Sequence, residues 1–282
     1  MSLHFLFIGT PDFSVPTLRL LFSEFQNNKL SVISMPDKVR GRGSSTTPSP
    51  VKLLAQEHGL KIYTPETKNE LTEQIFKINP DIIIVVAYGM IIEKKVTDHF
   101  FCVNIHSSLL PKYRGASPIH TALLNGDRTT GITLIRMNEH MDEGDILYQI
   151  AINIEPNDNL GSLTQKLSDI GAKAMIDFLH NNFIPKNIEA TPQNHQEASY
   201  AKKITKEELL IELGTGHNII HNKIRAYSPK PGAYILLNNR RVKLLSSEII
   251  NGKLKLLKVQ PEGKAPMDYS DFLLGYPEGI IL

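Results

Sequence analysis

The sequence predicts an α/β protein: an N-terminal Rossmann-like domain with a mainly parallel sheet, followed by a small, mostly β C-terminal domain. Three observations carry this prediction. Apolar runs of strand length alternate with helical stretches from Leu3 to Leu179. Asp81 to Tyr88 is a continuous β-branched run, which suits a central parallel strand covered on both faces. From Tyr200 the chain turns to short strands punctuated by Pro229, Pro231, Gly232, Asn238-Asn239 and Asn251-Gly252.

Each element follows from local pattern. Leu3 to Ile8 reads as a buried strand that Gly9-Thr10-Pro11 ends, and Pro16 suits the first turn of a helix over Thr17 to Phe25. Leu30 to Ser34 is a second strand. Pro50 to His58 is helical and Gly59 stops it, and Leu71 to Ile78 is a further helix. Phe101 to His106, Ile132 to Met137 and Ile146 to Ile154 read as strands, and Leu160 to Leu179 as the longest helix. Ile184 to Ser199 is polar, holds Pro185 and Pro192, and lacks sustained period, the texture of a linker crossing the surface. One or two helices, over Lys206 to Leu213 and His217 to Tyr227, then precede the short strands. The expected domains are a catalytic domain over 1–183, a linker over 184–203 and a C-terminal domain over 204–282.

Composition narrows the class. The chain has 282 residues, 41% apolar and 21% charged, the balance of a soluble globular enzyme. With a net charge of only +2 it is no blanket nucleic-acid binder. Residues 200–282 nevertheless hold 13 Lys and Arg against 8 acids, a net of +5 that leaves the rest at −3. One cysteine, Cys102, excludes an intrachain disulfide and a zinc ribbon. No apolar run is long enough to span a bilayer and no signal peptide is evident, so the cytoplasm is the expected compartment.

The strongest chemical constellation is Asn104-Ile105-His106 followed by Ser107 to Gly115. Asn104 and His106 are two apart at the end of a strand, so both side chains share a face. In open parallel sheets ligands gather beyond the carboxyl ends of strands. An amide donor beside a titratable imidazole could there stabilise an oxyanion, or merely cap the strand. Met141-Asp142-Glu143-Gly144-Asp145 packs acids into a turn between two strands; these are either solvated turn residues or a carboxylate aimed at His106. Gly9 to Ser14 lacks G-x-G-x-x-G, and Pro11 removes a donor that a phosphate would need, which argues against dinucleotide binding. Pro36-Asp37-Lys38-Val39-Arg40-Gly41-Arg42-Gly43 is a basic loop suited to phosphate backbones, or a solvated surface loop. His217 and His221 have metal-ligand spacing without a third ligand, so no metal is expected.

Together these segments resemble the methionyl-tRNA formyltransferases along nearly the whole chain. Gly9 to Ser14 is similar to that family's opening turn, and Pro36 to Gly43 with Pro48-Ser49-Pro50-Val51-Lys52 to its basic insertion loop. Ala87-Tyr88-Gly89-Met90-Ile91-Ile92 resembles its folate-pocket wall. Asn104 to Gly115 with Ala116, Pro118 and Ile119 resembles the formyltransferase signature, and Asp142-x-Gly144-Asp145 its acidic partner. Tyr200-Ala201-x-Lys203-Ile204, Arg225 to Ala233 and Gln260-Pro261-x-Gly263-Lys264 resemble the linker end and C-terminal domain. The resemblance implies an OB-like C-terminal domain in reduced form: the chain departs from the pattern after Ser247, where it runs almost directly to Ile250-Asn251-Gly252-Lys253, so a two-sheet or barrel closure is expected to be incomplete.

The resemblance implies 10-formyltetrahydrofolate as formyl donor and the α-amino group of initiator methionyl-tRNA as acceptor, in translation initiation, on a monomer that needs neither metal nor membrane. It implies Asn104, His106 and Asp142 as catalytic residues. Asn104 and His106 would donate to the alkoxide that develops when the amine attacks the formyl carbon, and Asp142 would hold the imidazole and take up or relay the amine's proton. The folate would lie against Tyr88, Gly89, Met90, Ile91, Ile92, Ser108, Leu109, Leu110, Pro111 and Asp142. The tRNA would meet Lys38, Arg40, Arg42, Lys203, Arg225, Lys230 and Lys264, with Arg42 reaching the acceptor stem. Three alternatives stand beside this: a formyltransferase for another amine, on a ribonucleotide or an amino sugar; a nucleotide-cofactor oxidoreductase, against which the missing glycine fingerprint counts; and an RNA-binding module with an inactive α/β domain, against which intact Asn104, His106 and Asp142 count.

Overall fold

A computed structural model describes residues 2–39, 46–184 and 186–281. Along the chain these form strand β1 (His4–Gly9), helix α1 (Val15–Glu24), β2 (Lys29–Ile33), β3 (Lys38–Val39), β4 (Thr46–Thr47), α2 (Pro50–Glu57), β5 (Lys61–Tyr63) and α3 (Lys68–Ile78). There follow β6 (Ile82–Val86), α4 (Lys94–His99), β7 (Cys102–His106), β8 (Arg114–Gly115), α5 (Pro118–Leu124), β9 (Thr129–Arg136), β10 (Ile146–Asn153) and α6 (Leu160–Phe178). The C-terminal residues add β11 (Tyr200–Ala201), α7 (His217–Tyr227), β12 (Ala233–Leu237), β13 (Arg240–Ile250), β14 (Lys253–Pro261), β15 (Met267–Asp268) and α8 (Tyr269–Gly275).

The chain divides into two compact units. The first comprises residues 1–114, 131–151 and 165–199. Its centre is a seven-stranded sheet in the order β10-β9-β7-β6-β1-β2-β5. The pairs from β5 through β7 are parallel, and β9 runs antiparallel to β7. Every residue of β6 is buried, as its all-apolar sequence requires of a strand covered on both faces. Leu6, Ile8, Ile33, Ile83 and Val85 form one core with Leu71, Ile75 and Val96 from the covering helices and Phe100 just after α4. Gly171 of α6 lets that helix approach the sheet: a Cβ there would sit 3.0 Å from Cγ2 of Ile105. β1 reverses strand order, with β2 on one side and β6 on the other, so the crevice at the carboxyl ends of β1, β6 and β7 is where the topology favours a ligand.

Gly9 closes that end of β1. A Cβ there would lie 2.9 Å from Ser14 Cβ and from the Val86 carbonyl oxygen. The close approach allows the Ser14 hydroxyl to donate to the Val86 carbonyl at 2.6 Å, tying the opening turn to the end of β6.

The second unit comprises residues 115–130, 152–164 and 200–282. It is an open antiparallel sheet in the order β12-β13-β14-β15, with α7 and α8 against a core of Ile220, Ile224, Tyr227, Val242, Leu244, Val259 and Phe272. Both long hairpins turn on left-handed residues, Asn238-Asn239 at φ 49° and 60° and Asn251-Gly252 at 49° and 75°. The helix expected over Lys206 to Leu213 is only a single 3-10 turn, Glu207–Leu209. There the Ile211 amide donates to the Tyr234 carbonyl at 2.8 Å, so a bond to the strand displaces the helical one.

Candidate active site

Strand β7 presents Cys102, Asn104 and His106 on one face and delivers the last two to the carboxyl end of the sheet. Asn104 is half-buried; His106 is buried. The imidazole is held from both sides. Its Nε2 donates to the Tyr113 carbonyl at 2.9 Å, and its Nδ1 faces Oδ1 of Asp142 at 3.5 Å. Both ring nitrogens thus face oxygens, one at hydrogen-bond distance and one at a longer contact. Tyr113 reaches this position with φ 61° and Asp142 with φ 57°. Two non-glycine residues in the left-handed region, one on each side of the same ring, mark a segment whose backbone is dictated by its surroundings.

The loop after β7 is equally bound. Ser108 donates from its hydroxyl to the Lys112 carbonyl at 2.5 Å, and its own carbonyl accepts from Thr133 at 2.6 Å. The Leu110 amide donates to Thr133 Oγ1 at 3.1 Å, and the Gln149 amide group donates to the Leu110 carbonyl at 3.0 Å. Ser108 and Leu110 are buried, Leu109 and Pro111 half-buried, and the Leu110–Pro111 peptide is cis.

After β6 the chain turns at Ala87, φ 47°, into Tyr88 to Ile92. Tyr88 and Met90 pack against the core, Gly89 is exposed, Ile91 is 58% exposed and Ile92 is buried. The Tyr88 hydroxyl is shut off from solvent without a hydrogen-bond partner among the described residues. Burial pushes its pKa up to about 12, so it remains a neutral donor and acceptor.

Two residues near the imidazole escaped the sequence reading. Arg114 is almost fully buried and Gln193 is 5% exposed. Arg114 donates to Gln193 Oε1 from Nε at 3.1 Å and from Nη2 at 2.8 Å, and its Nη1 pairs with Glu143 Oε1 at 3.0 Å. Gln193 in turn donates to the carbonyls of Asp142 and Gly144 at 2.8 and 2.7 Å. Arg114 lies within the signature, but nothing in its spacing reveals burial. Gln193 lies in the stretch read as a linker, and no local pattern marks it.

Of the expected tRNA-contacting residues, Lys38 belongs to the first unit and Lys203, Arg225, Lys230 and Lys264 to the second. Arg40 and Arg42 lie outside the described residues; Lys38 begins the short strand β3, which pairs with β4. Lys203, Lys230 and Lys264 are exposed. Arg225 is committed inside its unit, donating to the Asp158 carbonyl at 3.2 Å and to Asn222 Oδ1 at 2.8 Å. His217 and His221 do not converge: Nδ1 of His217 donates to the Gly252 carbonyl at 3.2 Å, and Nδ1 of His221 lies 2.9 Å from Ser247 Oγ. Among the described residues no group of three His, Cys, Asp or Glu could hold a metal ion. Burial pushes the Cys102 thiol up to about 12, which leaves it inert. Among the described residues no helix is long and apolar enough to cross a membrane.

At the carboxyl end of this Rossmann-like sheet stand an amide, an imidazole and a carboxylate, the side-chain types that group transfer at a carbonyl carbon uses. The formyl transferase family model matches residues 1–179, and that of the formyl transferase C-terminal domain matches residues 203–255. The methionyl-tRNA formyltransferase of Kosmotoga olearia is 46% identical over 248 residues, covering 86% of this chain and 79% of its own. That of Ehrlichia ruminantium is 36% identical over an alignment of 304 positions, covering 97% of each. Among solved structures, the methionyl-tRNA formyltransferase from Clostridium thermocellum superimposes with a TM-score of 0.62 at 21% identity, over 92% of this chain and 98% of that one. HypX from Aquifex aeolicus in complex with tetrahydrofolic acid shares the fold, with a TM-score of 0.69 at 16% identity, over 100% of this chain and 48% of that one. The chain belongs to the methionyl-tRNA formyltransferase family of formyl-transferring enzymes.

Proposed function

We propose that this enzyme transfers a formyl group from 10-formyltetrahydrofolate to the α-amino group of initiator methionyl-tRNA. The observation that carries the reading is the imidazole of His106, flanked by the Tyr113 carbonyl and the Asp142 carboxylate, with Asn104 on the same strand face. The folate supplies an electrophilic formyl carbon when bound; Tyr88, Gly89, Met90, Ile91 and Ile92 would form one wall for it, and Ser108, Leu109, Leu110 and Pro111 would shape the loop beside the attacking amine. Asn104 donates an N–H to the oxygen that gains charge. His106, anchored through Nε2 on the Tyr113 carbonyl, donates alongside it from Nδ1, whose 3.5 Å approach to Asp142 is the looser of its two contacts. The Asp142 carboxylate accepts the proton that the attacking amine must lose, directly or through water. The chain acts as a monomer in the cytoplasm, with residues 1–183 catalytic and 204–282 holding the tRNA. Lys38, Arg40, Arg42, Lys203, Lys230 and Lys264 supply phosphate contacts, and Arg225 shapes the same domain from within.

Asn104→Ala and Asp142→Ala are each expected to lower kcat by at least about two orders of magnitude, the usual loss of one preorganised oxyanion or proton-handling group. Single-turnover formyl transfer measures this, and parent-like turnover in either variant overturns the assignment. The acceptor is tested by supplying 10-formyltetrahydrofolate with charged initiator tRNA, charged elongator tRNA, glycinamide ribonucleotide or an amino sugar nucleotide. Initiator methionyl-tRNA should be formylated fastest; preference for either small amine would replace the tRNA reading.

A further inference from the structure

The segment between α6 and β11 has little regular structure, yet it touches both partners of the His106 ring. Thr191 and Ile146 exchange amide-to-carbonyl hydrogen bonds of 2.8 Å, which pins the segment to the start of β10. Two residues on, Gln193 uses its whole amide. Its Oε1 accepts twice from Arg114, and its Nε2 donates to the carbonyls of Asp142 and Gly144, on either side of Glu143. These partners fix the amide's orientation, because the reverse would set N–H against guanidinium and oxygen against two carbonyls. At the far end Ser199 works on the other side. Its hydroxyl accepts from the Tyr113 amide at 3.0 Å, its carbonyl accepts from the Arg114 amide at 2.8 Å, and its amide donates to the Pro111 carbonyl at 3.3 Å. Tyr113 is the residue whose carbonyl accepts from His106.

We propose that residues 191–199 form a positioning strap that sets both acceptors of the catalytic imidazole, with Gln193 fixing the Asp142 loop and Ser199 fixing Tyr113. This rests on the reading of His106 and Asp142 as catalytic. Neither Gln193 nor Ser199 touches the reacting atoms. Gln193 acts through the backbone around Asp142, a residue at positive φ that needs external support to hold its carboxylate toward the ring. The buried Arg114 cation joins the two halves. Its backbone amide binds Ser199 while its guanidinium binds Gln193 and Glu143, and the Glu143 carboxylate balances its charge.

Gln193→Glu tests the strap in the full-length enzyme. It keeps an acceptor for Arg114 and removes both donors to the Asp142 and Gly144 carbonyls. With a parent-like circular dichroism spectrum, it should lower kcat about tenfold or more, the scale of a misplaced catalytic group, and leave KM for the tRNA within about twofold. In an Asp142→Asn background the same change should cost less than about twofold, because the carboxylate it positions is already gone. Parent-like kcat in folded Gln193→Glu, or an equal loss in both backgrounds, overturns the strap alone. Parent-like kcat in Asp142→Asn by itself removes the catalytic reading, and the strap falls with it. Should Gln193→Glu fail to fold, Ser199→Ala carries the test: kcat should fall several-fold at unchanged KM, and an unchanged kcat overturns the proposal.

Discussion

Gly144 has no room for a side chain. A Cβ there would collide with the Arg136 carbonyl oxygen, part of the backbone of β9, which cannot swing aside like a side-chain tip. Gly144→Ala should therefore displace the Asp142 loop and destabilise the fold by about 1–3 kcal/mol, the usual cost of forced overpacking. Urea unfolding reads the stability and steady-state assay the turnover, which should drop more than KM rises; a variant matching the parent in both would show that the loop has slack. At this scale the sequence was legible where a local period decides geometry. The spacing of Asn104 and His106 alone puts both on one strand face. It was opaque where long-range partners decide. Arg114 looks like any surface cation until Gln193, 79 residues later, and Glu143 enclose it.

The pairing of α7 with β13 gives the second unit a pH response. His221 of α7 stands beside Ser247 of β13, and burial together with the nearby Arg225 lowers its pKa from 6.5 to about 4. The unfolded chain therefore binds a proton in the window between those values that the folded chain refuses. Stability is fully present above about pH 6.5, declines as pH falls toward 4, and levels off once the folded ring is protonated as well. His120 of α5, lowered by burial, acts in the same sense. Melting temperature should fall across that window, and His221→Gln should flatten the fall; identical slopes for parent and variant would clear His221 of any part in it. Elements with a strong period or a marked turn were legible: β6 from its β-branched run, and the β13–β14 hairpin from Asn251-Gly252. The three-residue β5 and the short α4 and α5 were missed because so few residues cannot establish a period. The helix expected at Lys206 to Leu213 gave way to strand bonding at Ile211, a contact no local window contains.

Over the whole molecule, charge separates along the chain as the chemistry does. The site that gathers Asn104, His106 and Asp142 lies in the part carrying a net of −3, whereas residues 200–282 carry +5. Several of those cations are occupied: Lys223 donates to the Leu210 carbonyl at 2.6 Å, Lys255 pairs with Glu248 at 2.9 Å, and Arg225 serves carbonyls of its own unit. Lys203, Lys230 and Lys264 are exposed and carry no such bond among the described side-chain contacts. Under the proposed reading, a polyanionic acceptor gripped by such lysines would release counterions on binding and its apparent affinity would fall steeply with salt, whereas a folate, with only its glutamate carboxylates to pair, would respond far less. KM for the tRNA should thus rise with salt along a straight double-logarithmic line while KM for the folate changes far less. Lys203→Ala should reduce the slope for tRNA by about 1 and leave kcat at saturating tRNA unchanged, since one phosphate contact is lost and no reacting atom is disturbed. Arg225→Lys should behave differently. Its guanidinium holds two segments of its own unit, so the loss should be read in melting temperature, with the salt slope preserved. A salt slope that Lys203→Ala leaves untouched, or a folate KM that climbs in parallel with that of the tRNA, would remove the basic C-terminal residues from acceptor binding and return the choice of amine to the small-molecule alternatives.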